Sequence, residues 1–168
     1  GLLAPHAALF SGVHAILDIG TGTGAFLPHL ARLAPGAHVV AVDLSPEMLR
    51  RARSSGRTDA LLCRLLRADA ERLPLAAESF DLITCHDSFA HLEDRAGALR
   101  GFARVLRLGG KLLILHDIPR AKLNTIHGSA THQRIRTHTL PPVEAITPLV
   151  KAAGLRVLAA EDTDTHIL

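Results

Sequence analysis

The sequence predicts an α/β protein: a doubly wound, mostly parallel sheet with helices on both faces. Three observations carry this. Short apolar runs alternate with segments of helical spacing, the pattern of parallel strands joined by helical crossovers. The first run ends in the glycines Gly20, Gly22 and Gly24, where a helix-like segment begins. No repeat, low-complexity tract or linker breaks the alternation, so the 168 residues read as a single domain, 1–168.

The elements follow in order. Residues 15–19 form a short apolar run, as a buried parallel strand should. Thr23 to Ala34 has helical spacing, with Phe26, Leu27, Leu30 and Leu33 on one side, and Pro35-Gly36 stops it. His38 to Asp43 is a second strand rich in Val. Ser45 then caps a helix that has Pro46 in its first turn and runs to about Arg53. Leu61–Ala68 and Ser79–Cys85 hold the third and fourth strands, and Glu93–Leu106 a helix. Gly109-Gly110 turns the chain into a fifth strand, Lys111–His116. Residues 118–140 lack a period and read as a long functional loop with some helix. Pro141-Pro142 opens a last helix, Val143–Ala153, closed by Gly154. Leu155–Glu161 is expected as a sixth strand, and Thr165–Leu168 as the start of a seventh.

Composition excludes several classes. At 48% hydrophobic and 21% charged residues the chain is too apolar for disorder to be its main state. No apolar run approaches the roughly 18 residues of a membrane span. The first residues lack a basic start followed by an apolar block, so no signal peptide is expected. Cys63 and Cys85 form no CxxC motif, and the expectation is a reduced, cytoplasmic protein. The net charge of +3 is spread along the chain and Trp and Tyr are absent, which argues against nucleic acid as a partner. The chain opens on Gly1 without Met and closes on an apolar stretch, so truncation at one or both ends is expected.

Asp18-Ile19-Gly20-Thr21-Gly22-Thr23-Gly24 is the strongest chemical signal. Glycines allow a sharp turn and close approach of a ligand to the main chain. Asp43 ends the second strand about twenty residues further on, where a carboxylate can accept both hydroxyls of a ribose. Together they point to an adenosine-containing cofactor, against the bland reading of a tight turn and a helix-cap neighbour. The turn reads G-x-G-x-G, but Gly20, Gly22 and Ala25 also satisfy the loose dinucleotide pattern. An NAD(P)-dependent oxidoreductase therefore competes with other adenosine-cofactor readings on these residues alone.

The rest of the chain separates them. Asp69-Ala70 follows the third strand, Phe80-Asp81-Leu82-Ile83 opens the fourth, and Arg104 to Ile114 runs through Gly109-Gly110 into the fifth. With these segments the sequence resembles the small-molecule branch of the class I S-adenosylmethionine-dependent methyltransferases. The shared patterns are E/D-x-G-x-G-x-G, "VD-S-x-x-M", "D-A-x-x-L-P" and "R-V-L-x-x-G-G". The likeness covers residues 15–117 well and 142–168 more loosely. It implies a Rossmann-like sheet of about seven strands, the last antiparallel. It implies S-adenosylmethionine as cofactor, S-adenosylhomocysteine as product, and a small-molecule methyl acceptor. Gly20, Gly22 and Gly24, with Thr21 where many relatives have Cys, would wrap the methionine end. Asp18 would sit under its amino group, Asp43 would hold the ribose, and Leu44 and Met48 would line the adenine slot. Asp69 and Ala70 would meet the adenine amine, and His86 the methionyl part and the methyl.

A sulfonium makes its methyl intrinsically electrophilic, so the protein's task is to align nucleophile, methyl carbon and sulfur. A base is needed only when the nucleophile arrives protonated. His86, Asp87, His91, His116 and Asp117, after the fourth and fifth strands, are candidates, with His127 further on; helix or turn capping is the plain alternative for His91 and Asp117. Residues 118–140 fall where the family covers its substrate, and His127, Arg134 and Arg136 are candidate acceptor contacts. Leu2, Leu3, Leu9 and Phe10 are expected in a short covering helix. His127, His132 and His138 are not spaced for a helical metal site, and no metal is expected. A non-catalytic cofactor- or partner-binding module stays open as a third function, because fold alone does not dictate chemistry.

Overall fold

Five parallel strands lie side by side in the order β3-β2-β1-β4-β5 in this computed structural model, which describes residues 4–59, 62–129 and 138–163. The strands are β1 (Ala15–Ile19), β2 (His38–Asp43), β3 (Leu62–Arg67), β4 (Phe80–His86) and β5 (Leu106–Leu115). The helices are α1 (Leu27–Leu33), α2 (Pro46–Ser54), α3 (Arg95–Val105), α4 (Arg120–Gly128) and α5 (Val143–Ala152). Short 3-10 segments occupy Ala4–Phe10, Ala70–Arg72 and Phe89–His91.

The sheet is covered on both faces, so its strands are apolar on both sides. Ile16, Val39, Ala41, Leu82 and Leu113 pack with Phe10, Phe26, Leu27 and Leu30 on the α1 face. Leu17, Ile19, Val42 and Ile83 pack with Phe89, Leu99, Phe102 and Ile146 on the other, under α3 and α5. Parallel strands run in one sense, so all their carboxyl ends reach the same edge. That edge carries Asp18, Asp43, His86 and His116 within or just beyond the strands.

Some boundaries move, for physical reasons. The helix expected from Thr23 starts only at Leu27. Gly24 has φ +76°, outside the right-handed helical region, and Pro28 suits a helix's first turn. Gly109-Gly110 lies inside β5, where a turn was expected. Phe80 pairs with Leu106 and Leu82 with Lys111, so the intervening residues of β5 bulge outward, which Gly109 permits at φ +79°. Leu108 is fully exposed at the tip of that bulge.

Of the seven strands expected, the described residues hold five, and the sixth expected at Leu155–Glu161 needs correcting. Residues 155–161 form no strand, because a strand persists only where a neighbour satisfies its backbone groups, and no ladder reaches them. They pass instead along a cleft of about 730 Å³ beside the open edge of β5. Residues 165–168, Leu61, and Leu2 and Leu3 lie outside the described residues. No helix among the described residues is long and apolar enough to cross a membrane.

Candidate functional site

The glycine turn is tied to β2 by its own backbone. Thr21 N–H donates to the Val42 carbonyl at 2.9 Å, and Gly22 N–H donates to Asp43 Oδ2 at 2.8 Å. Asp43 Oδ1 accepts from Ser45 N–H at 2.8 Å, so one carboxylate joins the turn to the start of α2. Ser45 caps α2 by accepting from Met48 N–H at 3.3 Å. Gly20, Gly22 and Gly24 all have positive φ, as side-chain-bearing residues rarely do. A Cβ at Gly20 would stand 2.3 Å from Ser88 Cβ, so the turn is pressed against the loop after β4.

Asp18 lies beneath this turn, almost wholly buried. Its register partner on β4 is Thr84, whose hydroxyl donates to Asp18 Oδ1 at 2.7 Å. Asp18 Oδ2 and Thr21 Oγ1 are buried without a hydrogen-bond partner among the described residues. Burial pushes the Asp18 carboxyl above its ordinary range, against the pull of the Thr84 and Thr21 hydroxyls and nearby His86. An orphaned buried carboxylate oxygen is costly and calls for a donor or a cation.

Along the same edge, Leu44 presents an exposed apolar side chain next to Asp43, and Met48 lies half-buried on α2. Asp69 Oδ1 accepts from Glu71 N–H at 2.9 Å and so caps the 70–72 turn, with Ala70 packed on the core. All the residues expected around the cofactor therefore lie at the carboxyl ends of β1 to β4. In open parallel sheets, ligands bind at such an edge.

The acceptor-side candidates separate into two groups. In the first, His86 stacks on Phe26 with ring centroids 4.5 Å apart. Its Nε2 faces Asp117 Oδ2 at 3.0 Å and Asp87 Oδ2 at 3.5 Å. Asp87 has φ +50°, and its Oδ1 accepts from Asp117 N–H at 3.1 Å. Burial opposes ionisation of Asp87, but His116, His86 and the Asp117 N–H outweigh it and hold the carboxyl below its ordinary range. In the second group, His91 Nδ1 meets His138 Nδ1 at 3.0 Å, and the His91 and His127 rings lie 5.0 Å apart. His127 is buried, with Nδ1 donating to the His138 carbonyl at 2.6 Å, so it braces the loop beneath α4 and does not present that nitrogen to an acceptor. Burial and the surrounding imidazoles push His91 down to about 4, so it is neutral at pH 7. His132, Arg134 and Arg136 lie outside the described residues.

Thr84, Ser88 and Phe26 are the partners that the sequence reading did not pick out for the site. Thr84 is the hydroxyl in an otherwise apolar strand beside Asp18, which was a usable signal. Ser88, whose hydroxyl donates to the Ile19 carbonyl at 2.8 Å, matters only through tertiary proximity.

Comparison with known proteins gives the same reading. Residues 17–114 match the family described as "Methyltransferase domain". A demethylmenaquinone methyltransferase of Thermus thermophilus is 41% identical over 107 residues, covering 64% of this chain and 49% of its own. "Methyltransferase GfsG" of Streptomyces halstedii is 36% identical over 159 residues, covering 90% and 56%. The chain thus spans about half the length of the curated relatives it matches. The crystal structure of a SAM-dependent methyltransferase from Aquifex aeolicus superposes with a TM-score of 0.76 at 21% identity, covering 99% of this chain and 85% of that one. At that identity the likeness speaks for the fold alone.

Proposed function

Because the chain belongs to the methyltransferase-domain family, we propose that it transfers a methyl group from S-adenosylmethionine to a small-molecule acceptor, releasing S-adenosylhomocysteine. The observation that carries this is Asp18: a buried carboxylate with one unpartnered oxygen, under a glycine turn clipped to Asp43. The residues fit the cofactor's chemistry. Its ammonium supplies the donor that Asp18 Oδ2 and Thr21 Oγ1 lack. Asp43 retains lone pairs for ribose hydroxyls beyond its two backbone contacts. Leu44 and Met48 offer the apolar surface that an adenine ring needs, with Asp69-Ala70 at its rim.

When bound, the cofactor supplies a methyl carbon on a sulfonium, open to in-line attack. The chain's own residues bind, orient and manage protons. Asp18, the glycine turn and Asp43 fix the donor. His86, pinned by its stack on Phe26, stands between the turn and the two carboxylates after β4 and β5. The cluster of His86, Asp87 and Asp117 receives the acceptor's nucleophilic group, and its proton leaves through this cluster. Residues 118–129 and 138–140 cover the acceptor, with α4 held down by Asn124, whose side chain pairs with both backbone polar groups of Leu140. A hydroxylated quinone-type ring is the proposed acceptor class, on the strength of the Thermus relative's name. The dinucleotide oxidoreductase and the non-catalytic module are not favoured, since the matched family is a methyltransferase one.

For the whole protein we also propose the seven-stranded sheet with an antiparallel last strand. Among the described residues β5 is the last strand of the sheet, with a cleft beside it. A cytoplasmic location belongs to the same proposal. The test is product analysis: the protein, S-adenosylmethionine and a panel of reduced quinones, with S-adenosylhomocysteine and methylated ring measured together. Equal amounts of both support the reading. Neither appearing across the panel, from protein that binds the cofactor, would leave the quinone class without support.

A further inference from the structure

We propose that His86, Asp87 and Asp117 form a divalent-cation site whose open positions take an oxygen of the methyl acceptor. The inference rests on the methyl-transfer reading for its purpose but not for its geometry. His86 Nε2, Asp87 Oδ2 and Asp117 Oδ2 converge, with all ligand atoms within 4.8 Å of one another. The two distances from His86 Nε2 are 3.0 and 3.5 Å. Ligand atoms about 2.1 Å from a six-coordinate cation and at right angles to each other stand about 3.0 Å apart. The His86–Asp117 spacing matches that of two adjacent ligands on such a cation, and the His86–Asp87 spacing is about half an ångström wider. This nitrogen carries at most one proton, which cannot satisfy two carboxylates that share it. A cation placed between the three groups satisfies all of them.

A second observation comes from behind the cluster. His116 is completely buried, and neither of its ring nitrogens has a hydrogen-bond partner among the described residues. Its Nδ1 faces Asp87 Oδ1 at 3.5 Å, the oxygen on the far side of that carboxylate from His86. The Asp117 N–H donates to the same oxygen. Carboxylates that ligate metals are oriented by donors on their second oxygen, and here the Asp117 N–H is that donor. Asp87 takes its place at a positive φ, a conformation that persists in a non-glycine residue where the surroundings enforce it. Asp87 and Asp117 are about half-exposed, so the outer face of the site stays open to water or a ligand. A bound cation keeps open positions where it does chemistry, and it favours the ionised form of a coordinating hydroxyl. Two carboxylates with water in the open positions suit Mn²⁺ among divalent cations, and it serves as the probe.

The experiment is titration of the protein with Mn²⁺, followed by the loss of the free-ion EPR signal, with S-adenosylhomocysteine binding measured on the same sample. Asp87→Asn and Asp117→Asn are the variants. One Mn²⁺ per chain is expected, weakened more than tenfold by either variant, while S-adenosylhomocysteine still binds. An unchanged Mn²⁺ signal from protein that binds S-adenosylhomocysteine overturns the cation site and leaves the methyltransferase reading standing. Mn²⁺ binding that neither variant weakens overturns it too. Variant-sensitive Mn²⁺ binding without any S-adenosylhomocysteine binding supports the site and counts against the methyltransferase reading.

Discussion

Gly20 and Gly22 sit two residues apart in one turn, yet a methyl group at each should fail differently. At Gly20, φ is +66° and the new Cβ would stand 2.3 Å from Ser88 Cβ and 2.7 Å from its hydroxyl oxygen. Left-handed backbone costs an alanine about 1–2 kcal/mol. The overlap adds about 1–3 kcal/mol, and displacing Ser88 breaks its bond to the Ile19 carbonyl, worth about 1 kcal/mol. Gly20→Ala should therefore cost about 4 kcal/mol and, in a chain of this size, lower Tm by roughly 8–16 °C. Pairing it with Ser88→Gly removes the overlapping atom and should restore at least about 1 kcal/mol relative to additive costs. At Gly22, φ is +56° and the nearest atom to a new Cβ is the Gly20 carbonyl oxygen at 3.9 Å. Gly22→Ala should cost about 1–2 kcal/mol in stability but weaken S-adenosylhomocysteine binding more than tenfold, because the proposed cofactor site takes up the open space there. Urea and thermal unfolding of the three variants, with calorimetric titration of each, decide the matter. Additive costs within about 0.5 kcal/mol for Gly20→Ala and Ser88→Gly would refute the close-approach argument.

Other consequences follow from the carboxylates and thiols. Asp81 accepts from the N–H groups of His14 and Ala15 and from Arg107, at 2.7–3.0 Å. Burial opposes its ionisation, but Arg107 and these N–H groups hold its carboxyl below the ordinary value. Its contribution to stability is thus present above about pH 3.9 and lost as pH falls through the folded value. Asp81→Asn should cost about 2 kcal/mol at pH 7 in urea unfolding, and that difference should vanish in acid. Asp18 has the opposite sign. Its raised value means that its neutral form favours the fold, a contribution lost as pH rises through that value. The cofactor's ammonium needs the charged form. S-adenosylhomocysteine affinity should fall on acidification above the ordinary Asp range, and Asp18→Asn should flatten that part of the profile. Burial pushes Cys63 up to about 11 and Cys85 up to about 12, so neither thiol should react with Ellman's reagent at pH 8 until the chain unfolds.

The cofactor edge was legible in the sequence because each of its parts is local. The glycines, Asp43 three residues before a Pro46 helix start, and Asp69-Ala70 after a strand each carry their meaning in a few neighbouring residues. The acceptor side was legible only as a list of polar residues. His86 and Asp117 are thirty-one positions apart, and nothing local says that β4 and β5 pair in the register that brings them to 3.0 Å. The same lack of tertiary information put His127 among acceptor contacts, when it braces the loop through the His138 carbonyl. Leu155–Glu161 had the composition of a strand, but strand formation depends on a neighbour and not on composition alone.

Calorimetric titration with S-adenosylhomocysteine, beside NAD, tests the central claim most directly. The account predicts micromolar binding of the first at one site per chain, none of the second, and severe weakening by Asp43→Ala. A folded protein that binds no S-adenosylhomocysteine at millimolar concentration, or that binds NAD in its place, would contradict it.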